Sequence, residues 1–213
     1  MASQILTVHS KTPELRKIAS VAETIKSGAV ILFPTDTGFA LGCGLNNKDA
    51  INRIRNIRRL PEGKELTFLC DSLSNVAEFA KVSNVAYRTI KRLIPGPFTF
   101  ILPASKMVPK YAQNPKRKTA GIRVPDDNFT LLLLKEVESP IICISAKRED
   151  IPQNKPDEII RIFAPMVDLA VRSDSYSFTG ESTVIDMMSD EFSIIRHGAG
   201  ITNVLEYIDM EAV

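Results

Sequence analysis

Thr35, Asp36 and Thr37 set three small oxygen-bearing side chains in a row, between the apolar run Ala29-Val-Ile-Leu-Phe-Pro34 and the glycines Gly38, Gly42 and Gly44. Polar groups at the end of a buried strand stand where ligands dock in α/β proteins, and glycines let a ligand approach the backbone. The pattern recurs downstream: Thr99, Arg123, Ser145, Ser182-Thr183 and Arg196 each lie at an end of a strand-like run. Singly, each is an ordinary cap or surface group. Together, hydroxyls and guanidiniums converging from several strands suit a cavity that holds phosphate and carboxylate groups through charge-assisted hydrogen bonds.

Other chemistries find no support. The two histidines, His9 and His197, are far apart and neither neighbours a plausible nucleophile. Carboxylates show no metal-ligand spacing, and glycine-rich loops of the P-loop or dinucleotide type are absent. The expectation is a site without a covalent nucleophile and without a protein-held metal. Cys43, Cys70 and Cys143 each sit in apolar sequence and read as reduced core residues of a cytoplasmic protein. No run is apolar enough to span a bilayer and the N-terminus carries no secretory pattern, so no membrane association is expected.

The elements that must position these groups follow from periodicity. Gln4 to His9 reads as a strand, and Thr12-Pro13-Glu14 as a helix start with Thr12 as N-cap and Pro13 at the first helical position. Gly28 stops that helix, and the opening run is a strand whose ladder Pro34 ends. Asp49 to Arg59 is a second helix, broken at Leu60-Pro61-Glu62-Gly63-Lys64, and Leu66 to Cys70 a strand. A helical pair, Leu73 to Ala80 and Asn84 to Leu93, leads through Pro95-Gly96-Pro97 to a strand from Phe98 to Leu102. Val108 to Lys118 is an exposed basic loop; Thr119 to Val124 is a strand, Phe129 to Val137 a helix and Pro140 to Ser145 a strand. Lys147 to Lys155 is a polar loop, Pro156 to Phe163 a helix, and Val167 to Arg172 a strand before a mobile loop from Ser173 to Glu181. Ser182 to Met187 and Ser193 to Arg196 are the last strands and Asn203 to Ile208 the last helix. Alternation without repeats or an obvious linker predicts a single α/β domain with a mixed sheet.

Charge is unevenly placed. Between Arg53 and Arg123 there are 15 Lys/Arg against 4 Asp/Glu, although the whole chain carries only +2. Such asymmetry suggests a phosphate-bearing partner.

On its motifs the chain resembles the YrdC/YciO family, the threonylcarbamoyl-AMP synthase-like proteins. The matching pieces are Phe33-Pro-Thr-Asp-Thr37 with Leu41-Gly42, Pro61, Pro95-Gly-Pro-Phe-Thr-Phe100, Gly121-Ile-Arg-Val-Pro125, Ser145-Ala146, Glu181-Ser-Thr-Val-Ile-Asp186 and Arg196-His-Gly198. The resemblance implies an α/β fold of α+β type: one domain over residues 10–205, with residues 1–9 an N-terminal strand and 206–213 a tail. Its twisted mixed parallel and antiparallel sheet, with flanking helices, would line an open basic cavity. In active relatives that cavity takes ATP with magnesium on its phosphates, L-threonine and bicarbonate, and the product serves to modify tRNA. Members are also described as binding double-stranded RNA. By resemblance Thr35, Thr37, Arg123 and Ser182 would meet the amino acid, and Arg58, Thr99, Ser145, Lys147 and Arg196 the nucleotide.

Three departures point to the YciO branch. Arg58 and Leu60 stand where the synthases carry Lys-x-Arg, Ser145-Ala146-Lys147 where they carry Ser-x-Asn, and Gly38-Phe39-Ala40 where they carry Val-Tyr-Gly. A lysine is a point charge and does not copy an amide's paired donor and acceptor. Three functions follow: formation of threonylcarbamoyl-AMP, binding of tRNA or double-stranded RNA without synthase activity, or removal of the tRNA modification.

Overall fold

The run after Gly28 folds back on itself as a hairpin. Ile31–Thr35 and Gly38–Gly44 are antiparallel, with Thr35 opposite Gly38 and only Asp36 and Thr37 between them. Pro34 therefore lies inside the ladder, opposite Phe39, and does not end it. The strand on its other side pairs only with Ile31 and Leu32, so the missing Pro34 donor falls where that neighbour has already left.

The structure, a computed structural model, describes residues 4–61, 63–148, 151 and 155–211. In chain order its strands are β1 Gln4–Val8, β2 Ile31–Thr35, β3 Gly38–Gly44, β4 Thr67–Leu69, β5 Phe98–Pro103, β6 Thr119–Arg123, β7 Ile141–Ser145, β8 Leu169–Ser173, β9 Thr183–Asp186 and β10 Ser193–Arg196. The helices are α1 Leu15–Lys26, α2 Lys48–Ile57, α3 Leu73–Phe79, α4 Asn84–Leu93, α5 Asn128–Val137, α6 Pro156–Phe163 and α7 Ile201–Glu211. All ten strands join one mixed sheet in the order β1-β8-β2-β3-β7-β4-β6-β5-β9-β10. The expected mixed α/β architecture is what forms.

Local chemistry explains most boundaries. Asn47, Ser72, Ser83 and Asp127 each accept a hydrogen bond from the backbone N–H three residues on and so cap α2, α3, α4 and α5. Gly28, at φ +95°, takes the left-handed turn that ends α1. Thr12 does not cap α1, which starts only at Leu15: its N–H and hydroxyl are both within hydrogen-bond distance of His9 Nδ1, at 3.1 and 3.0 Å. The expected polar loop from Lys147 to Lys155 lies largely outside the described residues.

Two apolar layers flank the sheet. The larger gathers Ile51, Ile54, Val76, Ile90, Phe163 and Val204 from the helices against Phe68, Phe100, Ile122 and Ile142 from the strands. The smaller packs Ile18 and Ile25 of α1 and Leu133 of α5 against Ile31, Phe33 and Val171. It also reaches Ala40, Leu69 and Cys143, which border a cavity on that face. Beyond them the face is left open. Period-two alternation does the rest: Phe98 and Phe100 point into the core while Thr99 and Ile101 line the cavity, and Ile122 points inward between Gly121 and Arg123.

Candidate functional site

The cavity has a volume of about 550 Å³ and takes lining residues from β2 through β7 and from β9 and β10. Seven of the nine expected contact residues border it: Thr35, Thr37, Thr99, Arg123, Ser145, Ser182 and Arg196. Arg58 and Lys147 are not among the lining residues. Arg58 Nε donates to the Ser145 carbonyl at 2.9 Å, and partial burial pulls its pKa below the usual arginine range. Lys147 Nζ donates to the Glu181 carboxylate.

One cluster forms around the β2–β3 turn. Thr35, 5% exposed, donates its hydroxyl to the Gly38 carbonyl at 2.7 Å and accepts from the Thr37 N–H at 3.2 Å. Thr35 thus shapes the turn that borders the cavity. Arg123 crosses from β6 and donates to Thr37 Oγ1, to Asp36 Oδ1 and, at 3.4 Å, to the Gly96 carbonyl. A guanidinium has five N–H donors, so two remain for a ligand. Asp36 Oδ2 is enclosed without a hydrogen-bond partner. Sequence reasoning named Asp36 only as part of the turn; nothing local reveals an arginine 87 residues away.

The second cluster joins β5, β9 and β10. Thr99 Oγ1 and Ser182 Oγ lie 2.9 Å apart, and Arg196 donates from Nε to the Ser182 carbonyl and from Nη2 to Ser182 Oγ, each at 2.9 Å. Arg196 Nη1 reaches Glu181 at 3.1 Å, so this carboxylate bridges Arg196 and Lys147. The Lys147 hydrogen bond, with Arg196 adding attraction, holds the Glu181 carboxyl below the usual range. The register that pairs Phe100 with Ile122 sets Thr99 beside Arg123, so the two clusters adjoin. Lys64, Asn114 and Arg117 also line the cavity, and Arg117 is ion-paired with Asp186 at 2.5 Å.

The segment from Ser173 to Glu181, expected to be mobile, is pinned. Thr179 donates to the Asp36 carbonyl from its N–H at 2.8 Å and from its hydroxyl at 3.1 Å. Tyr176 and Phe178 pack on Phe39, with ring centroids 5.4 and 5.6 Å away. These partners lie far off in sequence, where no local pattern shows them. Leu60 likewise differs from a simple vacancy in the site: it packs half-buried against the large core and does not line the cavity.

A Sua5/YciO/YrdC family model, described as "Telomere recombination", matches residues 23–198. The chain belongs to that family. The crystal structure of Escherichia coli YciO is 36% identical and superposes with a TM-score of 0.87, over 92% of this chain and 96% of that one. The structure of P. abyssi Sua5 complexed with L-threonine is 27% identical with a TM-score of 0.88, over 97% of this chain and 61% of that one. The threonylcarbamoyl-AMP synthase of Mus musculus is 28% identical over 200 residues, covering 91% of this chain and 70% of its own length. Among the described residues no three His, Cys, Asp or Glu side chains are placed to hold a metal, and no helix is long and apolar enough to cross a membrane.

Proposed function

We propose that the cavity binds L-threonine and a magnesium-loaded nucleoside triphosphate side by side, and that the chain forms a threonylcarbamoyl adenylate from them and bicarbonate. The observation that carries this reading is the pairing of two arginine–hydroxyl clusters, Arg123 with Thr37 and Arg196 with Ser182 and Thr99, on one cavity. The two uncommitted N–H groups of Arg123 suit a carboxylate, and Arg196 suits phosphate. Magnesium would arrive on the triphosphate as part of the substrate.

The amine of threonine adds to bicarbonate with loss of water, giving a carbamate. A carbamate oxygen then attacks the α-phosphorus, and the bond to the departing pyrophosphate breaks. No protein nucleophile is needed, so the residues act by alignment and charge neutralisation. Lys147 and Leu60 favour a second reading, in which structured RNA binds without adenylation, because Lys147 is held by Glu181 and Leu60 is turned to the core. Pyrophosphate release decides between them. The proposed reaction requires release that depends on both L-threonine and bicarbonate and is lost in Arg123→Ala. No release, with tRNA still bound, would favour the second reading; release independent of threonine would count against both.

A further inference from the structure

We propose that Glu181 determines how tightly this site holds ligand phosphates, because its carboxylate competes with them for Lys147 and Arg196. The inference rests on the phosphate role proposed for Arg196 and extends it to Lys147, which shares the same carboxylate. Each oxygen of Glu181 serves a different one: Oε1 accepts from Lys147 Nζ, and Oε2 lies 3.1 Å from Arg196 Nη1. A carboxylate between two cations is a stand-in for a phosphate group, since both offer paired acceptor oxygens to the same donors.

The chain holds Glu181 at this place by its backbone. Its carbonyl accepts from the Ala199 N–H at 2.8 Å, and Thr179, two residues before it, is fastened to the Asp36 carbonyl. Release of the two cations therefore needs rotation of one side chain, not movement of a loop. That side chain is 39% exposed, so water stands ready to receive it. An internal carboxylate also carries a high effective concentration, on the order of millimolar for short tethers, against which a weakly held anion fails.

The charge count at this end favours a competing role over a holding one. A lysine standing where the synthases carry an amide adds a positive charge, and Glu181 returns the balance to that of Arg196 alone. Ligands that use Arg123 and Thr37 do not touch these groups and escape the competition. Once the bond to pyrophosphate has broken, return of Glu181 to Lys147 and Arg196 helps that product leave.

Calorimetry with sodium pyrophosphate on the full chain tests the role, with wild type compared against Glu181→Gln. Exposed ion pairs contribute about 0.2–1 kcal/mol each, so removing two competing contacts should tighten pyrophosphate binding roughly 2- to 30-fold at 1.4 kcal/mol per tenfold. The gain should shrink when Lys147→Ala is added, and L-threonine affinity should stay unchanged. An equal gain for L-threonine counts against the proposal. Equal pyrophosphate affinity in the two proteins overturns the role of Glu181 and leaves the phosphate assignment standing; no binding by either overturns both. A readout on the wild type guards against a poorly folded variant. Saturating pyrophosphate should move the NMR titration midpoint of the Glu181 carboxyl upward, as Lys147 and Arg196 leave it, although Lys64 stays nearby. A midpoint that stays put sinks the idea.

Discussion

Asp36 and Arg123 are ion-paired at the wall of the cavity with side chains only 6% and 7% exposed. A pair so enclosed is costly to break from one side, because the surviving charge stays buried without its partner. Asp36→Ala should lower stability by about 3–5 kcal/mol in urea unfolding. Arg123→Ala should cost a similar amount, and the double variant less than the sum. Additive costs would show that the two side chains are not coupled.

Asp127 separates a cap from a charge. Burial is the main cause that raises its carboxyl above the usual range, while Thr130 offsets part of this by donating from its N–H at 2.7 Å and its hydroxyl at 2.6 Å. The folded chain therefore keeps this proton to higher pH than the unfolded chain. Stability falls as pH rises through the interval between the two values, and the cost persists at neutral pH. Asp127→Asn retains an acceptor for α5 and removes the charge, so it should be the more stable protein at pH 7, with the gap closing under acid. Asp127→Ala should instead lose about 1 kcal/mol of capping. Thermal melts of the three proteins across pH check both signs.

Gly198 ties backbone packing to the site. A Cβ there would come within 2.3 Å of the Glu181 carbonyl oxygen and 2.5 Å of that of Ser182. Backbone obstructs it, so relief requires moving the strand entrance that presents Ser182. Gly198→Ala should cost about 1–3 kcal/mol in unfolding and weaken pyrophosphate binding. Unchanged binding would mean that the β9 entrance yields without disturbing Arg196.

Lys147 and Leu60 should behave differently when restored to the residues of the synthases. Leu60 packs against the core, so Leu60→Arg should cost about 1–2 kcal/mol of apolar burial and add no threonine-dependent pyrophosphate release by itself. Lys147→Asn removes one partner of Glu181 and should carry any gain. Single-variant release assays and melts distinguish the two positions.

The sequence displays groups that face their own neighbours and hides those that face distant ones. The strands that present Thr99, Arg123, Ser145 and Arg196 were legible because apolar and lining positions alternate, or because runs such as Ile141 to Cys143 are buried throughout. β3 was not, since Gly38, Gly42 and Gly44 interrupt the apolar pattern and only pairing with β2 and β7 on either side makes that run a strand. Asp36, Glu181 and Thr179 gain their roles from partners 87, 34 and 143 residues away, through contacts that no local pattern encodes.

The strand order has a consequence for folding. Thr35 and Thr37 come from the β2–β3 hairpin, Ser182 from the entrance to β9 and Arg196 from β10, so their meeting in one cavity waits for nearly the whole sheet. Contacts of such long sequence separation make for slow folding, and no fragment carrying only one cluster holds the complete site. A ligand that spans both clusters recognises the finished topology alone. Its binding free energy therefore adds to the cooperative unfolding of the entire chain rather than to any local part of it.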